Sequence, residues 1–379
     1  MQNDTEISPI SEYSRSADAS FEYDEAIVPS VYADESFFRA LLSKAIGGKA
    51  SDIHLKVGQP PGARIHGEMV YFRAEKVTPE DTLAIARWVV KNPEILANLD
   101  ALKEYDTSYV LPGTGRFRVN VYRQRGSVAI VMRFIPTTIP TMQELGLPLP
   151  VTTDLTERQN GMVLLVGAAG NGKSTSIAAM IGHLNSTRPL HIVTIEDPIE
   201  FLHRDNVASI SQREVGSDTA NFAAALRSAL RQDPDVIFLG EIRDEETMEI
   251  SLKAAETGHL VLSTLHTSDA VRTVSRMLAL MRGDATENRF RIASCLQGIV
   301  AQRLLPRADG SGVVLAAEVL VASQSVRDSI RKPENNPGLK SLMEKGVHPY
   351  GMQTFPMAIG RLRADGVIDD ATAVAASVV

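Results

Sequence analysis

Cysteine is nearly missing from this chain: one residue, Cys295, in 379. An internal disulfide and any multi-cysteine zinc site are therefore excluded. Cys295 lies in the apolar run Ile292-Ala-Ser-Cys-Leu, the setting of a buried structural thiol. Long hydrophobic runs are missing too. No stretch approaches the roughly 18 apolar residues of a membrane-spanning helix. The N-terminus has neither the basic nor the apolar region of a signal peptide, so a cytoplasmic protein is expected. Most of the length also lacks an excess of charge. The formal net charge is −7, but residues 1–30 hold seven acids against one base, Arg15, which leaves −1 for the other 349 residues. A nearly neutral body gives no reason to expect a nucleic-acid partner.

What remains is a globular composition, 44% hydrophobic and 22% charged, long enough for two or three domains. Residues 1–34 are acidic and serine-rich without a helical or strand period, and read as a flexible tail in which Phe21, Tyr23 and Ile27-Val28 could dock. A small α+β module is expected over 35–136. Phe37, Phe38, Leu41, Leu42 and Ala45 have helical spacing and stop at Gly47-Gly48. Strands follow at Ser51–Val57 and Ala63–His66, then a helix capped by Thr78. Arg116–Arg123 and Ser127–Ile135 read as a hairpin across Gln124-Arg-Gly126. The proline-rich stretch 137–160 reads as a linker.

From 161 to 379 the pattern changes. Four short apolar runs, Met162–Val166, Ile192–Ile195, Val236–Leu239 and Leu260–Thr264, alternate with helical stretches. That alternation predicts an α/β domain with a buried, mainly parallel sheet whose strands end in ligand-binding residues.

The first run leads into Gly167-Ala-Ala-Gly170-Asn171-Gly172-Lys173-Ser174-Thr175, which fits G-x-x-x-x-G-K-[ST] between a strand and a helix. Glycines let amides curl around phosphate oxygens, and the helix N-terminus adds a favourable field. Lys173 would meet the β- and γ-phosphates of ATP and Ser174 would ligate Mg²⁺. The other strand ends supply the acids. Glu196, Asp197 and Glu200 follow the second run, and Glu241 follows the third, with Gly240 where an Asp is usual. Asp244 reads as a helix N-cap, and Asp197 could cap a turn before Pro198. His259 reads as a cap or core histidine, whereas His266 lies past the fourth strand end, within reach of a γ-phosphate.

These motifs together resemble the type II/type IV secretion ATPases, and most closely their PilT-type twitching-motility branch. Asp197 and Glu200 resemble the family's aspartate box, Val236–Glu241 its Walker B, and Gly258–His266 its histidine box. Ser51-Asp-Ile-His-Leu, Arg116-Phe-Arg-Val-Asn, Ser211-Gln-Arg-Glu-Val-Gly, Gln302-Arg-Leu-Leu-Pro and Gly351-Met-Gln-Thr-Phe resemble the branch. Ser325–Arg331 resembles the retraction motors' C-terminal Ala-Ile-Arg-Asn-Leu-Ile-Arg element with positions altered.

The resemblance implies a PAS-like N-terminal domain, a RecA-like P-loop ATPase domain and a homohexameric ring. It implies a cytoplasmic protein, peripheral at the inner membrane, acting on a pilus platform protein. It makes Glu200 the general base, Glu241 the Walker B acid and His266 a phosphate sensor. Arg118 and Arg133 match arginines that reach the γ-phosphate. Read from residues alone, an arginine-rich hairpin is as easily a solvated face. Retraction is favoured over pilus assembly or type II secretion because those motors commonly carry a tetra-cysteine zinc element that Cys295 alone cannot build; a type IVB secretion motor lacks it too.

Overall fold

The structure, a computed structural model, describes residues 7–8, 32, 34–65, 67–135 and 138–377. The tail read over 1–34 lies outside them except at Ile7, Ser8, Tyr32 and Asp34, and Phe21, Tyr23, Ile27 and Val28 lie outside altogether. The chain divides into two compact units, Met1–Thr137 and Thr138–Val379.

The first unit comprises β1 (Ile7–Ser8), α1 (Glu35–Gly47), β2 (Ala50–Lys56), β3 (Gly62–Ile65), β4 (Glu68–Phe72), α2 (Pro79–Val89), α3 (Pro93–Ala97), β5 (Glu104–Leu111), β6 (Gly115–Gln124) and β7 (Ser127–Ile135). Its sheet runs β1-β4-β3-β2-β7-β6-β5, antiparallel throughout. β1 is a departure from the sequence reading, which gave the acidic leader no strand: Ile7 pairs with Phe72 and Ser8 with Tyr71. Helix α1 buries Phe38, Leu41, Leu42 and Ala45 of the predicted stripe, with Phe37 partly buried, and α2 starts on a reciprocal Thr78–Asp81 capping box. The β6–β7 hairpin closes as expected, with Gln124 opposite Ser127 and both turn residues at positive φ, Arg125 at 50° and Gly126 at 81°. Phe117, Val119 and Val121 alternate inward along β6, which sends Arg116 and Arg118 to the opposite face.

The second unit begins with α4 (Leu149–Thr156), inside the stretch read as a linker. Val151 and Leu155 are buried in this unit's core, so much of 137–160 belongs to the second unit instead of joining two bodies. Prolines at 148 and 150 suit a first helical turn, where no amide partner is needed. There follow β8 (Gly161–Val166), α5 (Lys173–Thr187), β9 (His191–Glu196), β10 (Ser209–Glu214), α6 (Phe222–Ala229), β11 (Val236–Leu239), α7 (Glu245–Glu256), β12 (Leu260–Leu265), α8 (Ala270–Ala279), α9 (Ala285–Cys295), β13 (Leu296–Pro306), β14 (Val313–Val321) and α10 (Gln324–Arg331). Helices α11 (Leu339–Lys345), α12 (Phe355–Ala364) and α13 (Asp370–Ser377) complete it.

The sheet order is β10-β9-β11-β12-β8-β13-β14, parallel except for β14 against β13. Strands β8 and β12 are buried at every residue, as central parallel strands covered on both faces must be. All four predicted runs are strands, and β9, β11, β12 and β8 are consecutive neighbours. Their C-terminal ends therefore form one continuous rim. Asp244 caps α7 by accepting from Thr247 N at 2.8 Å. Cys295 is buried, and burial pushes its thiol up to about 11. Among the described residues no helix is long and apolar enough to cross a membrane.

Candidate nucleotide site

The loop after β8 takes its shape from glycine. Gly167, Gly170 and Gly172 have φ of 149°, 81° and 76°, a backbone that L side chains rarely adopt. A Cβ on Gly167 would also lie 2.6 Å from Gln302 O on β13. The same strand grips the loop elsewhere. Leu304 N donates to Asn171 Oδ1 at 3.2 Å, and Gln302 Nε2 donates to Ser176 Oγ at 2.8 Å. Lys173 opens α5 and is buried, its Nζ donating to Gly167 O and Ala168 O, each at 2.9 Å. Burial draws this ammonium below the usual lysine range, against Glu200 and Glu241, which favour its charge.

A cavity of about 210 Å³ lies on the strand-end rim, and Gly170, Lys173, Ser174, Glu200, Glu241 and His266 all line it. Six sequence-predicted positions thus converge. The expected site residues Asn171, Gly172 and Thr175 border a second hollow of about 320 Å³ with Leu304 and Arg307. Arg118 and Arg133 lie in the first unit as direct cross-strand partners on β6 and β7. Arg133 Nε meets Asp52 Oδ1 at 2.8 Å. Burial works to raise buried Asp52, but the bonds from Ser51 and Arg133 hold it below the usual carboxylate range. The like charges of Arg118 and Arg133, opposite one another, repel.

Glu241 is held on both oxygens. Arg243 Nη2 bonds Oε1 and His266 Nε2 lies 3.2 Å from Oε2. Arg243 Nη1 also reaches to 4.0 Å from Asp197 Oδ2. The β11 end is pinned from β12, where Ser263 Oγ donates to Leu239 O and Thr264 Oγ1 to Gly240 O, both at 2.7 Å. A Cβ at position 240 would come within 3.3 Å of Ile195 O, so a side chain there would need its neighbour to give by a few tenths of an ångström. Arg243, Gln302 and Leu304 were not anticipated as site residues. Arg243 has a local signal, two residues beyond Glu241, whereas Gln302 and Leu304 act across sequence distances that no period reveals. His259 Nδ1 lies 3.0 Å from Ala254 O, at the end of α7.

On the β9 side, Glu196 is buried, and burial pushes it above the ordinary carboxylate range against hydrogen bonds from Thr194 and Gln212. His203 lines the same cavity, and burial pushes its pKa down from 6.5 to about 4. That histidine is neutral in the fold and binds a proton more readily when unfolded. Its contribution is thus intact above pH 6.5 and is lost by about 3 kcal/mol as pH falls toward 4. His203→Gln should flatten that part of the melting-temperature profile between pH 6.5 and 4 in calorimetry. A profile with the parent's slope would overturn the assignment.

A phosphate loop on an inner strand of a mainly parallel sheet, with acids on the neighbouring strand ends, defines a RecA-like P-loop nucleotide-binding protein. A family model described as Type II/IV secretion system protein matches residues 33–332, and the chain belongs to that family. It is 38% identical over 320 residues to the Type IV pilus retractation ATPase PilT of Pseudomonas aeruginosa, covering 84% of this chain and 92% of the relative. It is 40% identical over 309 residues to the Twitching motility protein of Neisseria gonorrhoeae, covering 81% and 82%. Among solved structures, the pilus retraction motor PilT with bound ADP aligns at TM-score 0.81 and 42% identity, covering 89% of this chain and 96% of the other.

Proposed function

We propose that this chain is an ATP-hydrolysing motor for retraction of type IV pili, carried above all by the convergence of Lys173, Ser174, Glu200, Glu241 and His266 on one cavity. The loop amides and Lys173 hold the phosphates. The second hollow, bordered by Thr175, Leu304 and Arg307, is the space assigned to the nucleoside end. Glu200 takes a proton from the attacking water as its oxygen bonds to the γ-phosphorus and the bond to the β–γ bridging oxygen breaks. Glu241 has both oxygens engaged by Arg243 and His266, which suits a fixed negative site better than a proton acceptor. His266 is read as the residue that responds to the γ-phosphate, supported by its contact with Glu241 and its place in the cavity lining. For Arg118 and Arg133, the family resemblance is what supports a role in meeting the charge that develops on a transferred phosphoryl group.

The donor set consists of hard oxygens, which fit Mg²⁺: Ser174 would hold it directly and Glu241 through water. When bound, the ion neutralises phosphate charge. The family resemblance further supports a homohexameric ring on the cytoplasmic face of the inner membrane, working on a pilus platform protein. Deleting the encoding gene and scoring surface pili and twitching tests the reading. Abundant pili without movement are expected; missing pili would indicate an assembly motor and overturn it.

A further inference from the structure

Glu200 sits on the irregular segment between β9 and β10, with no helix or sheet ladder of its own to fix it. Side chains replace the ladder. β10 is the edge strand of the sheet, parallel to β9, with Gln212 in register with Thr194 and Glu214 with Glu196. Gln212 and Glu214, two apart, share a face of that strand. Glu214 Oε2 accepts from Ile199 N at 3.0 Å. Glu196 Oε2 lies 3.4 Å from the Glu200 amide, which donates to it. Gln212 does most. Its Nε2 donates to Phe201 O at 2.9 Å and to Glu196 Oε1 at 3.1 Å, and its Oε1 accepts from His203 N at 2.8 Å.

One carboxamide therefore grips the backbone at Phe201 and His203, just beyond Glu200, and at the same time the carboxylate that anchors the Glu200 amide. Both ends of the amide are used, one as donor and one as acceptor. An amide side chain does both, whereas a carboxylate has no donor and an apolar group has neither. Thr194 Oγ1 donates to the same Glu196 oxygen at 2.7 Å, so the network leads back into the sheet. We propose that Gln212 is a positioning residue for the reaction, setting where the Glu200 carboxylate stands relative to the attacking water. The inference rests on the reading of Glu200 as the general base. Misplacing a catalytic group by about 1 Å can slow chemistry on the order of 100-fold without altering substrate binding.

The test uses the full-length chain. Q212M keeps length and bulk but removes both polar ends. It should lower kcat by about 10- to 100-fold, while KM for ATP and affinity for a non-hydrolysable ATP analogue stay within about threefold of the parent. In an E200Q background, Q212M should bring no further loss in single-turnover phosphate release, because its effect passes through Glu200. A parental kcat in Q212M overturns the proposal, as does an equal fall in kcat and analogue affinity, or a full additive loss in the double variant. Should Q212M not fold, Q212N withdraws the same two groups by one methylene, and a parental kcat there overturns it equally. The base reading fails separately, through turnover retained in E200Q itself.

Discussion

Glu200→Gln is expected to bind ATP as tightly as the parent chain and to release phosphate about 10²- to 10⁴-fold more slowly, the range general bases contribute. The amide has nearly the carboxylate's shape and can still hydrogen-bond water, but it cannot accept the proton that leaves as the phosphorus–oxygen bond forms. Binding should survive because Glu200 is not among the groups that cradle phosphate: those are the loop amides and Lys173. Removing a negative charge from the cavity should if anything favour a polyanionic ligand. Glu241 cannot readily take over, since Arg243 and His266 hold its two oxygens. Steady-state phosphate release together with titration of a fluorescent ATP analogue separates the two properties. Turnover within tenfold of the parent would sink the base assignment.

The rim that carries this chemistry is legible in the sequence because buried parallel strands write it as apolar runs ending in polar residues. Met162–Val166 followed by Gly167–Thr175, and Val236–Leu239 followed by Gly240-Glu241, need no long-range information to be read. Three strands of the same sheet are not legible in that way. β10, Ser-Ile-Ser-Gln-Arg-Glu, is an edge strand with one buried residue, so its sequence looks like a polar loop. β13 starts at the residue after α9 ends, with no glycine or proline to mark the change from helix to strand. β14, Val-Val-Leu-Ala-Ala-Glu-Val-Leu-Val, is an apolar run whose period does not separate strand from buried helix. The hidden parts of the site follow from these hidden strands. Gln212 sits on β10, and Gln302 and Leu304 on β13, so the side-chain and backbone groups that shape the catalytic loop and the phosphate loop come from elements that hydrophobic period does not disclose. The same holds in the first unit. The β6–β7 hairpin that carries Arg118 and Arg133 reads from the sequence, but the ion pair from Asp52 to Arg133 spans 81 positions.

Lys173→Ala should weaken nucleotide binding by about 10²- to 10³-fold, with turnover falling at least as far. The lysine is not a solvated charge that happens to lie near a loop. It is buried, its ammonium is fixed by Gly167 O and Ala168 O, and two carboxylates, Glu200 and Glu241, line the same cavity. Truncation removes the cation and leaves those two acids facing an incoming triphosphate, so the variant loses an attraction and exposes a repulsion. Lys173→Arg should rescue little, because the larger planar fork would have to occupy a space shaped for a compact ammonium. The fold should persist, since the glycine-imposed path and the Leu304 N to Asn171 contact hold the loop without the lysine. Circular dichroism and size-exclusion elution should match the parent while a fluorescent ATP analogue fails to saturate. Parental affinity in Lys173→Ala would show that the loop amides alone carry the phosphate and would remove the lysine from the mechanism.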